Sequence, residues 1–405
     1  MALLTLTAGP LTAEYDGGSL RYIRLGGHEI LRRVLVAVRN RNWQTIPAVL
    51  SNEMVVRNAD NFRISFTANH EIGFVWNGLI EGDSDGTIRF AMSGKATRSF
   101  WRNRIGICVL HPIAECAGRE CIVEHSDGTE EASQFPMLIS PHQPFLDIRA
   151  LRYGPLRIET FGDIFETEDQ RNWTDASFKT YSTPLSIPIP AEVHPGDSIT
   201  QSVTLSLVGQ PLPPAHDRAA TIHIDRAQKS RVPYLSFTNS QTAENFVELN
   251  RNRQTAPSLT WGINPQVHAV DELTMIENLA AQGDTVVTAR SFAPDAEFHI
   301  SPVLIPPVRN ANGWVAVSFS ELAQAGAASV AYNQPQPVTA EIQDFAPDSV
   351  IRARSSHPLE FGVLVLESGP RVRAWIANFL DRPRMIQMEG QTLEIDPFQV
   401  RALNL

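Results

Sequence analysis

Cysteine is scarce in this chain: three occur among 405 residues, Cys108, Cys116 and Cys121. An odd thiol would be left over, which argues against a disulfide framework. Cys116 and Cys121 have four residues between them and no second pair, so their spacing makes no metal site. Basic charge is also in deficit, with a net charge of −10 and a pI near 5.6. Nucleic acid and anionic membrane surfaces favour a basic face, so neither is an expected partner, whereas a neutral or anionic small molecule held by local arginines remains open. No run approaches ~18 uninterrupted apolar residues, and the opening MALLTLTAGPLTAEY lacks a basic n-region and a sustained apolar core. The expectation is a soluble cytoplasmic protein. The GxSxG string at Gly82–Gly86 falls on the turn signal Asp83-Ser84-Asp85-Gly86 between two strand patterns, so it makes no nucleophile elbow, and no phosphate-binding glycine loop, GxGxxG after a strand or HExxH is present. His268 and Asp271 supply only two nearby metal ligands, so no metal and no cofactor is expected.

What is present divides by pattern. The length favours two or three domains, and 43% hydrophobic residues is ample for their cores. Residues 1–212 alternate in the period of half-buried strands, as in Phe62/Ile64/Phe66, Ile88/Phe90/Met92 and Val203/Leu205/Leu207. Turn signals such as Asp16-Gly17-Gly18 and Pro195-Gly196-Asp197 separate them, which predicts a large all-β sandwich. Gln210–Pro214 is a proline-rich break. Over 213–334 strand and helix alternate: strands at Val232–Phe237, Leu259–Ile263, Phe298–Leu304 and Ala328–Tyr332, helices at Thr242–Leu249, Glu272–Phe292 and Ser318–Ala325. That is a parallel βα unit with four strands, half of what an eight-stranded barrel needs. Residues 335–405 return to β character, with Phe361/Val363/Val365 and Leu393/Ile395 alternating, and predict a small C-terminal β-sandwich.

Hydrogen-bonding side chains crowd most densely at 243–271, AENFVELNRNRQTAPSLTWGINPQVHAVD. Its apolar run Ser258–Ile263 stops at Asn264-Pro265, a buried strand emptying into a polar loop, which is where barrel and open α/β enzymes keep their sites. His268, just beyond, has the chemistry of a base, acid or donor, although a loop histidine is more often a structural hydrogen-bonder. Glu248 and Arg251 share one side of a helix. They form either a surface ion pair or a water-orienting carboxylate beside a guanidinium that holds substrate. His299 shares a strand face with Ser301 and points either to a barrel centre or, as the blander alternative, into a core. A further cluster, Asp163, Glu166, Glu168, Asp169, Arg171, Asn172, Trp173, Asp175 and Lys179, mixes carboxylates, amides and an indole. Such mixtures bind sugars, and they also build charge networks between domains. The candidate set is therefore Glu248 and His268 for acid–base work, with Asn250, Arg251, Asn264, Gln266, His299, Asp169, Arg171, Asn172, Trp173 and Asp175 as substrate contacts.

Several of these segments carry a resemblance. NFVELNRNR, TWGINPQVHAVDELTMIENLAAQ, HISPV and GAASVAY resemble the second half of the barrel in the D-apionate lactonase family, bacterial proteins that open the lactone of a branched sugar acid. LRYIRLGGHEILR, VRNRNW, FWRNRIGICVLHP, FPMLISPHQPFLDIRAL and GDIFETEDQRNWTDASFKTY are similar to the front of the same family. The resemblance implies an N-terminal β-supersandwich, a truncated, half TIM-like β/α barrel whose first half is missing, and a sugar-acid lactone as substrate. Open strand edges of a half barrel would need cover from the β domains or from a second subunit. Three functions stay open: a sugar lactonase, a non-catalytic relative that binds a sugar or a partner, and a glycoside hydrolase with paired carboxylates.

Overall fold

The computed structural model describes residues 3–209 and 219–405. The proline break at Gln210–Pro214, and with it the expected 212/213 boundary, lies outside the described residues. The chain forms two compact units. Residues 138–141 and 170–176 group with the C-terminal part in the second unit, and the rest of the N-terminal part makes the first.

The strands of the first unit pair antiparallel, beside the four-residue helix Ile113–Cys116. One run places Leu4–Ala8, Leu11–Asp16, Ser19–Leu25, His28–Asn40, Phe100–Pro112, Ser177–Tyr181 and Phe165–Asp169 side by side. A second runs from Ala48–Arg57 through Phe62–His70, Phe74–Gly82, Ile88–Ala96, Ser198–Leu207 and Leu156–Phe161 to Phe145–Tyr153. Phe145–Tyr153 also pairs with Phe165–Asp169, which joins the two runs. Phe62, Ile64, Phe66, Ile88, Phe90 and Met92 all turn into one core shared with Leu20, Ile105 and Val203. Opposite Phe66 stands Gly78, where an added Cβ would lie 2.3 Å from the ring. Glycine is what allows the ring to lie across the neighbouring strand.

Within this unit His111 is fully buried, with Nδ1 2.9 Å from the Tyr153 hydroxyl and Nε2 2.8 Å from that of Thr180. Burial pushes its pKa down from the usual 6.5 to about 3, because the cation has no water to solvate it. The unfolded chain therefore binds a proton that the folded chain refuses. Stability from this group is fully present above pH 6.5 and is lost as pH falls towards 3. The unfolding free energy from urea titrations should decline over that window by on the order of a few kcal/mol, and His111→Gln should flatten the decline.

In the second unit four parallel strands run in the order Tyr234–Phe237, Ser329–Tyr332, Glu297–Val303, Ser258–Ile263. Leu259, Trp261, Phe298, Ile300, Val330 and Tyr332 share a core with Val286, Ala289, Val315 and Phe319 of the helices Leu279–Phe292 and Ala311–Ala325. The alternate positions Ser258, Thr260 and Glu297 are exposed, and His299, Ser301 and Ser329 are half-buried. In a ring of parallel strands taken in chain order, the first and last strands are neighbours. Tyr234–Phe237 pairs with Ser329–Tyr332 in that way, so the ring is open between Phe237 and Ser258. The free edges of the four-stranded sheet are thus Tyr234–Phe237 and Ser258–Ile263.

A second sheet explains why 219–334 and 335–405 share one unit. The strand Ala220–Arg231, which the sequence did not reveal, pairs antiparallel with Ser349–Ser355 and parallel with Arg384–Met388 in a seven-stranded sheet. Val350, Leu364, Leu366 and Trp375 of that sheet join Trp314 and Phe319 in the helical core. Local boundaries also differ. The helix expected at Thr242–Leu249 is Val247–Asn252, and the one expected at Glu272–Phe292 is divided at Asn278. The third begins at Ala311, capped by Asn310 accepting from the Gly313 amide, and a further helix covers Pro337–Phe345. Gly262 sits against Ala243, where a new Cβ would meet the Ala243 Cβ at 2.6 Å and the Pro302 carbonyl at 3.0 Å. Gly262→Ala is expected to lower stability by about 1–3 kcal/mol in chemical denaturation.

Candidate functional site

The segment that builds the site leaves one sheet and enters another unit. Strands Phe165–Asp169 and Ser177–Tyr181 pair within the first unit, while the residues between them, from the 3-10 turn Gln170–Trp173 to Ala176, belong to the second. Thr174 adopts a left-handed conformation, φ +64°, and the turn closes through Thr174 N to Arg171 O at 3.0 Å. Side chains then fix it from several directions. Arg171 Nη1 meets Asp284 Oδ2 at 2.9 Å, and Asn172 donates to Ser140 O at 2.7 Å. Asn250, fully buried, donates to Asn172 Oδ1 at 2.9 Å and to Ile139 O at 3.1 Å. The Ala176 amide donates to Asn278 Oδ1 at 3.1 Å.

Against this turn comes the exit of the strand Ser258–Ile263. Asn264 Oδ1 accepts from the Gln266 amide at 3.0 Å, a side-chain turn that redirects the chain towards His268. His268 Nδ1 is hydrogen-bonded to Asp175 Oδ2, and the Gln170 amide nitrogen comes within 3.4 Å of the same ring nitrogen. The other carboxylate oxygen of Asp175 accepts from Asn278 Nδ2 at 2.7 Å, and Asn278 also donates to Pro265 O at 3.2 Å. The Trp173 ring stands edge-on to the imidazole, centroids 6.1 Å apart at 85°. The Asp175 side chain is 6% exposed and that of His268 18%. A buried carboxylate bonded to Nδ1 fixes a neutral imidazole as the Nδ1–H tautomer and leaves the basic lone pair on Nε2.

The other candidates separate from this pair. Glu248, 71% exposed, and Arg251 bond each other at 3.2 Å across one turn of helix, and no hydrogen bond links Glu248 to His268 or Asp175. Asn250 is a buried brace for the turn. His299 bonds Ser329 Oγ at 2.8 Å and lies 3.8 Å from Glu297, on the open face of the four-stranded sheet. Asp169 is buried in the first unit. Asn278 and Gln170 escaped the sequence reading, because a buried asparagine at a helix junction breaks no apolar period. Among the described residues no group of three or more His, Cys, Asp or Glu is arranged to hold a metal ion, and no helix is long and apolar enough to cross a membrane.

Residues 2–210 match the family described as D-apionate lactonase, N-terminal domain, and residues 208–318 match its TIM barrel domain. The chain belongs to the D-apionate lactonase family. The D-apionate lactonase of Brucella anthropi is 37% identical over 213 residues, 50% of this chain and 35% of that protein. The chain thus spans about a third of the length of that relative. Solved structures give distant likenesses. A beta-arabinopyranosidase aligns at 8% identity and a TM-score of 0.32 over 99% of this chain and 98% of its own. Galactose 1-epimerase from Lactobacillus acidophilus aligns at 7% and 0.34 over 51% and 93%.

Removing Asn278 leaves the Ala176 amide and one oxygen of buried Asp175 without their partner. Asn278→Ala should cost about 1–3 kcal/mol, and Glu248→Ala, which breaks an exposed pair, only ~0–1 kcal/mol. Parallel urea titrations of the two variants check the ordering.

Proposed function

We propose that this protein hydrolyses the lactone of a sugar acid, with His268 as general base and Asp175 as its positioning partner. The observation that carries the proposal is the Asp175–His268 hydrogen bond just beyond the C-terminal end of a parallel strand, where barrel enzymes place their chemistry. His268 Nε2 takes a proton from water as its oxygen bonds the lactone carbonyl carbon. The tetrahedral oxyanion then collapses, the ring C–O bond breaks, and the leaving alkoxide takes the proton back from the imidazolium. Asn264 and Gln266 lie in the same loop and Trp173 stands edge-on to the imidazole, and these three are the proposed contacts for hydroxyls and the sugar ring. Family membership supports a lactone as substrate, and D-apionate lactone is the first to try.

A second reading, binding without turnover, is favoured by the open four-stranded sheet. A glycosidase needs two carboxylates on one cleft, and Glu248 and Asp175 are instead engaged by Arg251 and His268.

A pH-indicator assay for acid release over a panel of aldonolactones, apionolactone included, separates the readings. His268→Ala is expected to lower kcat/KM by ~10²–10⁴-fold, and Glu248→Ala to leave it unchanged. A folded parent that opens no lactone would sink the hydrolase reading in favour of binding.

A further inference from the structure

Charge is buried on the first unit's sheet, on the side away from its core. The strands His28–Asn40, Phe100–Pro112, Ser177–Tyr181 and Phe165–Asp169 are neighbours, and their register sets Arg39 beside Arg104, Lys179 beside Glu168 and Tyr181 beside Glu166. Alternate positions of the same strands, Val38, Ile105, Ile107 and Phe178, enter the core. Lys179 is bonded to Glu168, and the Tyr181 hydroxyl donates to Glu166, which also accepts from the Leu185 amide at 2.8 Å. Arg104 is 3% exposed. Its guanidinium carbon lies 3.7 Å from the Tyr181 ring centroid and 5.5 Å from that of Trp43, and its Nε has no hydrogen-bond partner among the described residues. Of these five charged groups, Arg39, Arg104 and Lys179 are basic and Glu166 and Glu168 acidic. A buried donor left unanswered is destabilising until an acceptor meets it.

Beside this charge an indole is displayed on purpose-built backbone. Arg39 Nη1 donates to the Trp43 carbonyl at 3.0 Å, and the Asn40 side chain accepts from the amides of Asn42 and Gln44 at 2.9 and 3.1 Å. Trp43 itself takes a left-handed conformation, φ +63°, and remains 41% exposed. A guanidinium seated over a tyrosine ring keeps N–H groups that suit a carboxylate, and a half-exposed indole offers a face to sugar C–H groups.

We propose that this face of the first unit binds a polyhydroxy carboxylate, a sugar acid, with its carboxylate on Arg104, hydroxyls on the Glu168–Lys179 and Glu166–Tyr181 pairs, and its carbon chain against Trp43. The site is distinct from the Asp175–His268 pair and does not depend on lactone turnover there.

Isothermal titration calorimetry on the full chain tests it, with D-gluconate as the probe, D-glucose and acetate as partial mimics, and other four- to six-carbon aldonates to extend the panel. Gluconate or another aldonate should bind at millimolar concentration or below, and glucose and acetate each at least about tenfold more weakly. Arg104→Met, which keeps the stem and removes the charge, should weaken aldonate binding at least about tenfold. Trp43→Ala, at a half-exposed position, should weaken it as well and decides the matter if Arg104→Met does not fold. His268→Ala should bind as the parent does, which separates this site from the proposed lactonase centre. The proposal is overturned if no aldonate binds, or if Trp43→Ala and a folded Arg104→Met bind as tightly as the parent.

Discussion

Asp175 is a carboxylate held away from water, and the candidate site follows from how that burial is compensated. A buried charge without partners would cost several kcal/mol, so both oxygens are committed, one to Asn278 and one to His268. Those two bonds fix three separate pieces of the second unit at once: the turn 170–176, the junction ahead of the helix Leu279–Phe292, and the loop leaving the strand Ser258–Ile263. His268 is oriented as a consequence. Its ring edge remains partly open while its acid partner does not, which is the asymmetry that a carboxylate–imidazole base requires.

The parallel sheet behind this loop is covered on one face only. Helices Leu279–Phe292 and Ala311–Ala325 bury the apolar positions of its strands, and the seven-stranded sheet closes the far side of the helices. The opposite face carries Ser258, Thr260, Glu297, His299 and Ser329, small or polar groups that tolerate water. Tyr234, 73% exposed, lies on the same face in register with Ser329, so an aromatic ring stands there among groups that tolerate water.

Much of this was legible from residue order, and what was not has physical causes. Period-two alternation exposed the first unit because each strand keeps one face in a core, and the βα alternation exposed the four parallel strands. Strand order was not legible, since counting strands does not say which pair. Ala220–Arg231 escaped because only Ile222 and Ile224 alternate before the strand turns polar and exposed. The cluster from Asp163 to Lys179 reads as one patch but divides, with Glu166, Glu168 and Lys179 in the first unit and Arg171 to Asp175 in the second. Asp175 and His268 were each visible as candidates. Their pairing, across 93 residues, is a product of tertiary structure alone.

The most direct measurement is the pH dependence of kcat/KM for lactone hydrolysis in the parent and in Asp175→Asn. The account predicts a rate that rises as one group loses its proton. It also predicts that Asp175→Asn, folded and with a near-parental KM, loses at least about a hundredfold in kcat because the imidazole is no longer held in the Nδ1–H tautomer. A folded Asp175→Asn with the parental kcat/KM at every pH would contradict it, and the chemistry would then have to lie elsewhere.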